Sequence, residues 1–318
     1  MRALYNNPVL IFAVLAVTIL VTAETPFIQE KTNREVVDSG ARQPRVCRGY
    51  VDMRWGQLHY IMATPAVPRA DQKTPIVMLH QSPNSSADYA ALVPEMGRDR
   101  IAIAVDTPGH GGSDGPNQIL RIEDYALAIA EGLKGLGFSA DRRIDILGRF
   151  TGALIGVEVA INEPKMVRRV ALLGIYVPSE ERREKWRQRE ANLVHPKTSA
   201  EAFEQFCQAL PRSKEIYLAQ GIPDSVWGRM RVESLRSLTR IQYAHAAAFR
   251  YHGQVSDRLP KVSQPVLLMA WDDDLYQETK DSQSLFKNAE LIDLPQYKSG
   301  ALYSRAAEIA AMLRKFLD

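Results

Sequence analysis

The sequence predicts an α/β protein with a mostly parallel sheet covered by helices on both faces. Three observations carry this prediction. Short apolar segments such as 75–79 and 101–105 alternate with longer segments of helical periodicity. Such unbroken apolar runs are typical of parallel strands, because both faces of a parallel sheet are covered. In segment 144–156 an apolar strand runs into a Gly-x-x-x-Gly turn, and a helix rich in small residues follows.

The elements follow in order from apolar runs and periodicity. Segments 50–55 and 58–62 alternate in polarity around Gly56 and predict a hairpin at an antiparallel edge of the sheet. Apolar runs predict the later strands, and a period of 3.6 residues predicts the helices. The later strands are expected at 75–79, 101–105, 144–147, 167–175, 265–270 and 289–294, and the helices at 87–96, 122–136, 151–162 and 305–317.

The segment between the strands at 167–175 and 265–270 has a different pattern. It shows no strand signal, and helical, charge-rich stretches dominate it. We therefore predict that residues 178–260 form a helical cap over the carboxyl edge of the sheet. The sheet domain is then divided between residues 46–177 and 261–318, and residues 24–45 are interpreted as a linker.

The composition favours a globular protein and argues against nucleic-acid binding. The chain has 318 residues, of which 46% are hydrophobic and 24% charged, and its net charge is +3. It contains no basic tract and no metal-ligand spacing. No nucleic-acid partner, metal or other cofactor is expected.

The first residues resemble an export signal. Residues 8–23 form an apolar run, interrupted only by Thr18 and Thr22, after a weakly positive start. The run is shorter than the about 20 residues that a membrane-spanning helix needs, and small residues at 21–23 suit cleavage. We predict export to a periplasmic or other extracytoplasmic location, with residues 1–23 cleaved or kept as a membrane anchor. An oxidising compartment would permit a disulfide between Cys47 and Cys207, but free, buried thiols are expected.

The turn within residues 144–156 has the frame of a nucleophile elbow. In such a turn the central residue is strained, and the positions two before and two after it are crowded, so they favour glycine. Gly148 and Gly152 fit these positions, and Phe150 is the central residue. The following helix directs its N–H groups toward the centre. A benzyl side chain, however, cannot act as a nucleophile.

Four motifs together resemble the α/β-hydrolase superfamily across residues 46–318. They are Leu-His-Gln-Ser-Pro at 79–83, Asp-Thr-Pro-Gly-His-Gly-Gly-Ser-Asp at 106–114, the elbow, and Leu-Leu-Met-Ala-Trp-Asp-Asp-Asp at 267–274. The resemblance implies the α/β-hydrolase fold, an eight-stranded and mostly parallel sheet with helices on both faces and a helical cap insertion.

The resemblance also implies where the site residues lie. Gln81 and Thr151 would supply the two oxyanion N–H groups. The acid position corresponds to Asp274, with Asp272 and Asp273 as alternatives. The nucleophile position corresponds to Phe150. The base position corresponds to Ser299, because every histidine of the chain comes earlier. Two of the three triad positions therefore lack their usual chemistry.

Other groups near the elbow leave alternatives open. Thr151 is the nearest hydroxyl, but its use as nucleophile would place Arg149 and Ala153 in the crowded positions. His80 and His110 lie on loops at the edge of the pocket, where each can act as a base or simply shape its loop. Arg149 either adds positive charge to the pocket or lies on the surface.

The functional prediction is an exported α/β-hydrolase-fold protein of carboxylic-ester or amide hydrolase ancestry. With Phe150 and Ser299 in the triad positions it is predicted to be non-hydrolytic, binding a small apolar ligand or a partner beneath the cap. The alternative is an active hydrolase, lyase or isomerase that uses relocated groups and the oxyanion N–H pair, so whether the chain is an enzyme stays open. Aromatic residues of the cap either line the pocket or form the cap core: Trp186, Phe203, Tyr217, Trp227 and Tyr243.

Overall fold

An eight-stranded sheet forms the centre of the computed structural model, which describes residues 43–67, 73–175, 177–191 and 198–318. The strand order is β1-β2-β4-β3-β5-β6-β7-β8; β1 pairs with β2 and β2 with β4 in antiparallel fashion, and the other pairs are parallel. The predicted fold class is confirmed. The strands are β1 (Arg45–Met53), β2 (Gly56–Thr64), β3 (Lys73–Leu79), β4 (Arg100–Val105), β5 (Ile144–Arg149), β6 (Val167–Leu173), β7 (Val266–Trp271) and β8 (Ala289–Leu294).

Helices connect the strands and fill the interval between β6 and β7. They are α1 (Leu92–Met96), α2 (Ile122–Gly135), α3 (Thr151–Asn162), α4 (Glu180–Ala191), α5 (Ser199–Ala219), α6 (Asp224–Leu235), α7 (Tyr243–Tyr251), α8 (Val255–Arg258), α9 (Tyr276–Asp281), α10 (Ala301–Ser304) and α11 (Ala306–Leu317). Short 3₁₀ helices occur at Ser86–Tyr89, Leu238–Arg240, Leu259–Lys261 and Ser282–Leu285.

The hydrophobic core lies in two layers, one on each face of the sheet. Val77 of β3 packs on the face that is covered by α2, α3 and α7. Its neighbours Ile76 and Met78 pack on the opposite face, which is covered by α1 and α11. Successive side chains of a strand point to opposite faces, so a fully apolar strand such as β3 supplies both layers.

The first strand begins earlier than its sequence pattern predicts. β1 starts at Arg45, within the predicted linker, and pairs with β2 from Arg45↔Thr64 to Met53↔Gly56. Most of its side chains are exposed, because it is the edge strand. Backbone pairing rather than burial therefore sets its length, and alternation of polarity is a weak signal for it. Gly56 is the first residue of β2 and has φ +111°.

The predicted helix over residues 87–96 is divided into two parts. The Ser85 hydroxyl accepts a hydrogen bond from the Ala87 N–H (3.2 Å) and caps the 3₁₀ helix Ser86–Tyr89. A separate helix, α1, follows at Leu92. Pro94 accounts for the break, because it has no N–H to donate to Ala90 and its ring would collide with that carbonyl in a continuous helix.

Between β6 and β7 the described residues form helices α4 to α8 and no strand. Glu158 of α3 anchors this part of the chain to the sheet domain. Its carboxylate accepts hydrogen bonds from Arg258 Nε and Nη2 (2.7 and 2.6 Å) and another from the Tyr251 hydroxyl. The boundaries 178–260 given above for the cap stay a prediction.

The predicted export segment at 1–23 lies outside the described residues, as does the linker as far as residue 42. Among the residues that are described, no helix is both long enough and apolar enough to cross a membrane. The expectation of buried cysteines was wrong: Cys47 and Cys207 are free and both are exposed. Cys47 lies on the edge strand β1 and Cys207 on α5, and neither element is enclosed on all sides.

Candidate active site at the carboxyl edge of the sheet

The turn between β5 and α3 is strained at its central residue. Phe150 has φ +46° and ψ −113° and is the only non-glycine residue with positive φ in the described chain. Such a conformation costs about 1–3 kcal/mol and persists only where the surroundings impose it. The structure thus places the elbow at Phe150, with Thr151 already the first residue of the helix.

Gly148 and Gly152 are required by contacts around this turn. A Cβ on Gly148 would lie 2.5 Å from the Gly152 carbonyl oxygen, and a Cβ on Gly152 would lie 2.1 Å from the Leu79 carbonyl oxygen. Both distances are too short for any side chain. A nucleophile at Thr151 would move the crowded positions to residues 149 and 153, which carry side chains, and this frame is incompatible with the observed packing.

The Phe150 ring borders a cavity and leans on the end of β6. A Cβ on Gly174 would lie 3.0 Å from Phe150 Cε1, so the lack of a side chain at Gly174 makes room for the ring. The Phe150 N–H donates to the Leu173 carbonyl (2.9 Å), which fixes the backbone at the same point. The aromatic side chain is therefore accommodated by its surroundings.

The cavity has a volume of about 450 Å³ and lies between the sheet edge and the helices that follow β6. Five residues of the predicted site border it together: Gln81, Phe150, Thr151, Asp274 and Ser299. The helices between β6 and β7 supply most of the remaining wall, with Arg182, Trp186, Arg189, Tyr217, Gln220, Gln242, His245, Ala248, Phe249 and His252.

The two residues that are predicted to supply the oxyanion N–H groups border this cavity from different elements. Gln81 follows β3, and Thr151 is the first residue of α3. Within the described chain, neither backbone N–H donates a hydrogen bond to another residue. An N–H in the first turn of a helix has no partner inside the helix, and it lies at the positive end of the helix dipole. That the pair stabilises negative charge on a bound oxygen stays a prediction.

The three aspartates after β7 differ in their surroundings. Asp273 and Asp274 border the cavity, and Asp272 does not. Asp273 Oδ1 accepts a hydrogen bond from the Leu275 N–H (2.9 Å), and burial raises the pKa of the Asp273 carboxyl. The Asp274 side chain is exposed, and its carbonyl accepts from Arg182 Nη2 (3.1 Å).

The loop at the base position is held against the helices above it. Ser299 is buried, with 2% of its surface exposed. Next to it, the Gly300 N–H donates to the Gln220 carbonyl (3.0 Å), and a Cβ on Gly300 would lie 2.0 Å from the Gly221 carbonyl oxygen. No histidine among the described residues lies on this loop.

His80 and His110 connect loops behind the cavity wall. His80 Nε2 accepts from the Thr107 N–H (2.9 Å), so Nδ1 carries the proton and donates to the Gln81 carbonyl (2.8 Å). His110 Nε2 lies 3.4 Å from the Ser82 hydroxyl, and burial lowers the pKa of His110 to about 3. Neither ring borders the cavity. Their contacts join the loops after β3 and β4.

Arg149 is buried behind Phe150. Only 1% of it is exposed, so the surface alternative is wrong. Its guanidinium carbon lies 5.2 Å from the centre of the Phe150 ring and 5.9 Å from that of the Trp271 ring. Arg149 is not among the residues that border the cavity.

Sequence reasoning missed two histidines that border the cavity. His245 lies on α7 and His252 directly follows that helix, with Phe249 between them on the same face. Burial lowers the pKa of His245 to about 4 and that of His252 to about 3, so both rings are neutral at pH 7. The spacing i, i+4, i+7 places three residues on one helix face, and this was the signal available in the sequence.

The aromatic residues of the predicted cap divide between the two expected roles. Trp186 and Tyr217 border the cavity. Trp227 packs with a small cluster that includes Met230, and Phe203 is 52% exposed. Trp186 and Tyr217 thus line the pocket and Trp227 belongs to a cap cluster, whereas Phe203 takes neither expected role.

A strained residue between two required glycines, beneath helices at the carboxyl edge of a mostly parallel sheet, defines an α/β-hydrolase-fold protein. Solved structures agree with this class. The chain matches the enol-lactonase from Burkholderia xenovorans with a TM-score of 0.66 and 18% identity, over 85% of this chain and 99% of that one. The chain has the α/β-hydrolase fold, and the resemblance that its motifs predict is confirmed.

Matches to curated proteins are partial. The chain is 31% identical over 104 residues to a 2-hydroxy-6-oxo-2,4-heptadienoate hydrolase of Pseudomonas putida, over 31% of this chain and 37% of that protein. It is 28% identical over 138 residues to a haloalkane dehalogenase of Mycolicibacterium paratuberculosis, over 42% of each chain. The matches thus span less than half the length of these relatives. No family model matches the chain.

Proposed function

We propose that this protein binds a small apolar or amphipathic molecule in the cavity at the sheet edge and does not hydrolyse it through a Ser-His-Asp triad. The observation that carries the proposal is Phe150 at the strained centre of the elbow, with its ring at the cavity wall. Ser299 at the predicted base position supports it, because a hydroxyl there cannot take up the proton that a histidine would accept.

The expected loss of hydrolysis is large. Removing the nucleophile or base of a triad lowers turnover on the order of a millionfold, and the oxyanion groups and substrate binding retain about a thousand- to ten-thousandfold enhancement. The Phe150 ring stands where the tetrahedral carbon of an ester would form. We therefore expect even this residual enhancement to be reduced.

The cavity wall suits an amphipathic molecule. Aromatic rings come from Phe150, Trp186, Tyr217 and Phe249, and polar groups come from the oxyanion N–H pair and two arginines. A volume of about 450 Å³ lies in the range that small-molecule sites occupy, about 300–1,000 Å³. Such a site binds an apolar body and orients it through a few polar contacts.

Hydrolysis is tested with p-nitrophenyl esters of increasing acyl length and with a fluorophosphonate probe. We expect no turnover above heat-inactivated protein and no labelling. We expect Phe150→Ser to stay inactive as well, because the base position still carries Ser299. Turnover by the wild type that persists in Phe150→Ala would contradict the absence of hydrolysis.

Binding is tested with the neutral probe N-phenyl-1-naphthylamine, whose fluorescence rises in apolar surroundings. We expect saturable binding to the wild type and its loss in Gln242→Trp, which places a large ring in the cavity. The matched control is Gln188→Trp on the exposed side of α4, which should bind normally. Equal binding by both variants, or none by the wild type, would contradict the proposal.

A second candidate function is a lyase or isomerase that uses no covalent step. His245 favours it, because this neutral imidazole borders the same cavity as Gln81 and Thr151. A neutral imidazole can remove a proton beside a carbonyl while two N–H groups stabilise the resulting oxyanion. Deuterium incorporation into a panel of 1,3-dicarbonyl compounds in D₂O tests this. Incorporation that His245→Gln abolishes, without loss of probe binding, supports the enzyme.

We also propose that residues 1–23 direct export, on the basis of their apolar run and small residues. The test is cell fractionation of the full chain beside a variant that begins at residue 24, with the mass of the mature amino terminus measured. Export of the full chain alone supports the proposal, and the mass distinguishes a cleaved signal from a retained anchor. Equal distribution of both proteins would contradict it.

A further inference from the structure

Arg149 is a buried cation without a hydrogen-bond partner in the described chain. It is the last residue of β5 and is 1% exposed. Its Nε and Nη1 atoms are fully buried, and no described residue accepts a hydrogen bond from either. Its neighbours are the Phe150 and Trp271 rings, whose faces attract a cation but accept no conventional N–H hydrogen bond.

Another buried arginine, Arg100, has its positive charge balanced by hydrogen-bonded carboxylates. Arg100 is 0% exposed, and its Nη2 donates to Asp99 (2.9 Å) and to Asp318 (2.8 Å). A guanidinium withdrawn from water without hydrogen-bonded anions is strongly unfavourable. The difference between Arg100 and Arg149 points to an anion beside Arg149 that is not part of the described chain.

A second donor of the same kind lies next to Arg149. Trp271 Nε1 is buried, and within the described chain it also has no hydrogen-bond partner. The Arg149 guanidinium carbon lies 5.9 Å from the Trp271 ring centre. An indole and a guanidinium offer only donors. A group of donors without acceptors selects an anion.

Two carboxyl groups are near this place and are already engaged. Asp88 accepts hydrogen bonds from Tyr303 (2.9 Å) and Asn84 (3.0 Å), and Asp273 accepts from the Leu275 N–H. The positive charge of Arg149 interacts electrostatically with both carboxyl groups, although neither accepts a hydrogen bond from Arg149. Their negative charge disfavours a multiply charged anion at the site.

We propose that Arg149 Nε and Nη1 and Trp271 Nε1 bind one small monovalent anion, a halide or a carboxylate, behind Phe150. The site adjoins the cavity, because Phe150 and Asp273 border it while Arg149 contacts the Phe150 ring. This inference does not depend on the absence of hydrolysis. It assigns a role to the one residue of the elbow that the proposed function leaves unused.

The test measures bromide binding to the full-length protein at constant ionic strength, by quenching of tryptophan fluorescence and by anomalous diffraction from bromide-soaked crystals. We expect saturable quenching and one bromide within hydrogen-bond distance of Arg149. Arg149→Met should raise the dissociation constant by about tenfold or more, because it removes the charge and its donors. Trp271→Phe should remove the quenching signal and weaken binding less, as judged by crystallographic occupancy.

The matched control is Arg229→Met. Arg229 is an exposed arginine of α6 that does not border the cavity and has no ion pair to any described residue, so it tests for non-specific attraction. We expect this variant to bind bromide as the wild type does. Competition by acetate would extend the site to carboxylates, and its absence would restrict the site to halides.

Two results would overturn the proposal. One is non-saturable quenching together with no bromide near Arg149. The other is unchanged affinity in Arg149→Met. If Arg149→Met does not fold, Trp271→Phe decides, since it keeps an aromatic side chain and removes the indole N–H. Unchanged bromide occupancy in that variant would then reject the site.

Discussion

Two buried arginines at opposite edges of the parallel sheet differ in their partners. At the amino edge, Arg100 is paired with Asp99 and Asp318, and Arg168 donates to Asp145 (2.9 and 2.6 Å). At the carboxyl edge, Arg149 interacts electrostatically with the carboxyl groups of Asp88 and Asp273. It donates a hydrogen bond to neither of them. The comparison indicates that charges at the amino edge stabilise the fold. At the carboxyl edge, we expect Arg149 to stay available to a ligand.

The largest expected effect concerns the backbone of the elbow at the carboxyl edge, which is tightly packed. Gly152→Ala would bring a methyl group 2.1 Å from the Leu79 carbonyl oxygen, and neither backbone can yield. We expect the free energy of unfolding in urea to fall by about 3 kcal/mol.

The control for this prediction is Gly228→Ala. Gly228 lies inside α6, where an added Cβ would meet nothing within 4 Å. This variant should gain about 0.5 kcal/mol through helix propensity. A similar small effect at both glycines would show that the elbow tolerates side chains at its crowded positions.

The next effect separates the two buried arginines directly. Arg100→Met leaves Asp99 and Asp318 without their shared partner. It should cost about 2 kcal/mol, less than for a fully buried pair because both aspartates are partly exposed. Arg149→Met breaks no hydrogen bond within the described chain. In halide-free buffer it should cost less than about 1 kcal/mol.

Both variants are compared by urea unfolding under the same conditions. Equal losses would mean that Arg149 also stabilises the fold through a contact of its own. The contrast between the two edges would then no longer hold.

The effect that is smallest at neutral pH is a difference in acid sensitivity. His245 and His252 have pKa values of about 4 and about 3 in the folded protein, below the about 6.5 of an unfolded chain. The unfolded chain therefore binds more protons below pH 6.5. Stability is complete above that pH and decreases as pH falls toward 4, by up to about 1.4 kcal/mol per pH unit for each histidine.

Two paired carboxyls of the amino edge, those of Asp99 and Asp318, respond only at lower pH. Their hydrogen bonds to cationic partners outweigh the effect of burial and lower the pKa values of Asp99 and Asp318 below 3.8. Their contribution is present above the unfolded value and is lost as pH falls below it. Unfolding in urea at pH 7, 5 and 3.5 should show a reduced slope between pH 7 and 5 in a His245→Gln, His252→Gln double variant. An unchanged slope would contradict the assignment.

The sequence predicted the fold well where local chemistry decides it. The elbow was located because no residue with a side chain fits at Gly148 or Gly152. The structure also has α3 and β8 at the predicted bounds. The start of β1 was missed because an edge strand is defined by pairing rather than burial. The break before α1 was missed because Pro94 was read within a helical pattern.

The sequence predicted the site residues on the loops that follow the strands, but not those on the helices between β6 and β7. Gln81, Phe150, Thr151 and Ser299 follow strands whose ends meet at one edge, and they border one cavity. The α7 face with His245 was not predictable in this way. The orientation of α7 over the sheet depends on contacts such as that between Tyr251 and Glu158, which no local pattern encodes.

The contact between Gly300 and Gly221 has a consequence for how a molecule reaches the cavity. Main chain meets main chain there, so rotation of side chains cannot open a passage on that side. On the side of α4, by contrast, the exposed Arg189 side chain borders the cavity, so a change of side chain there can alter access. Entry and exit rates should therefore respond to substitutions on α4 and be insensitive to those on the loop of Ser299.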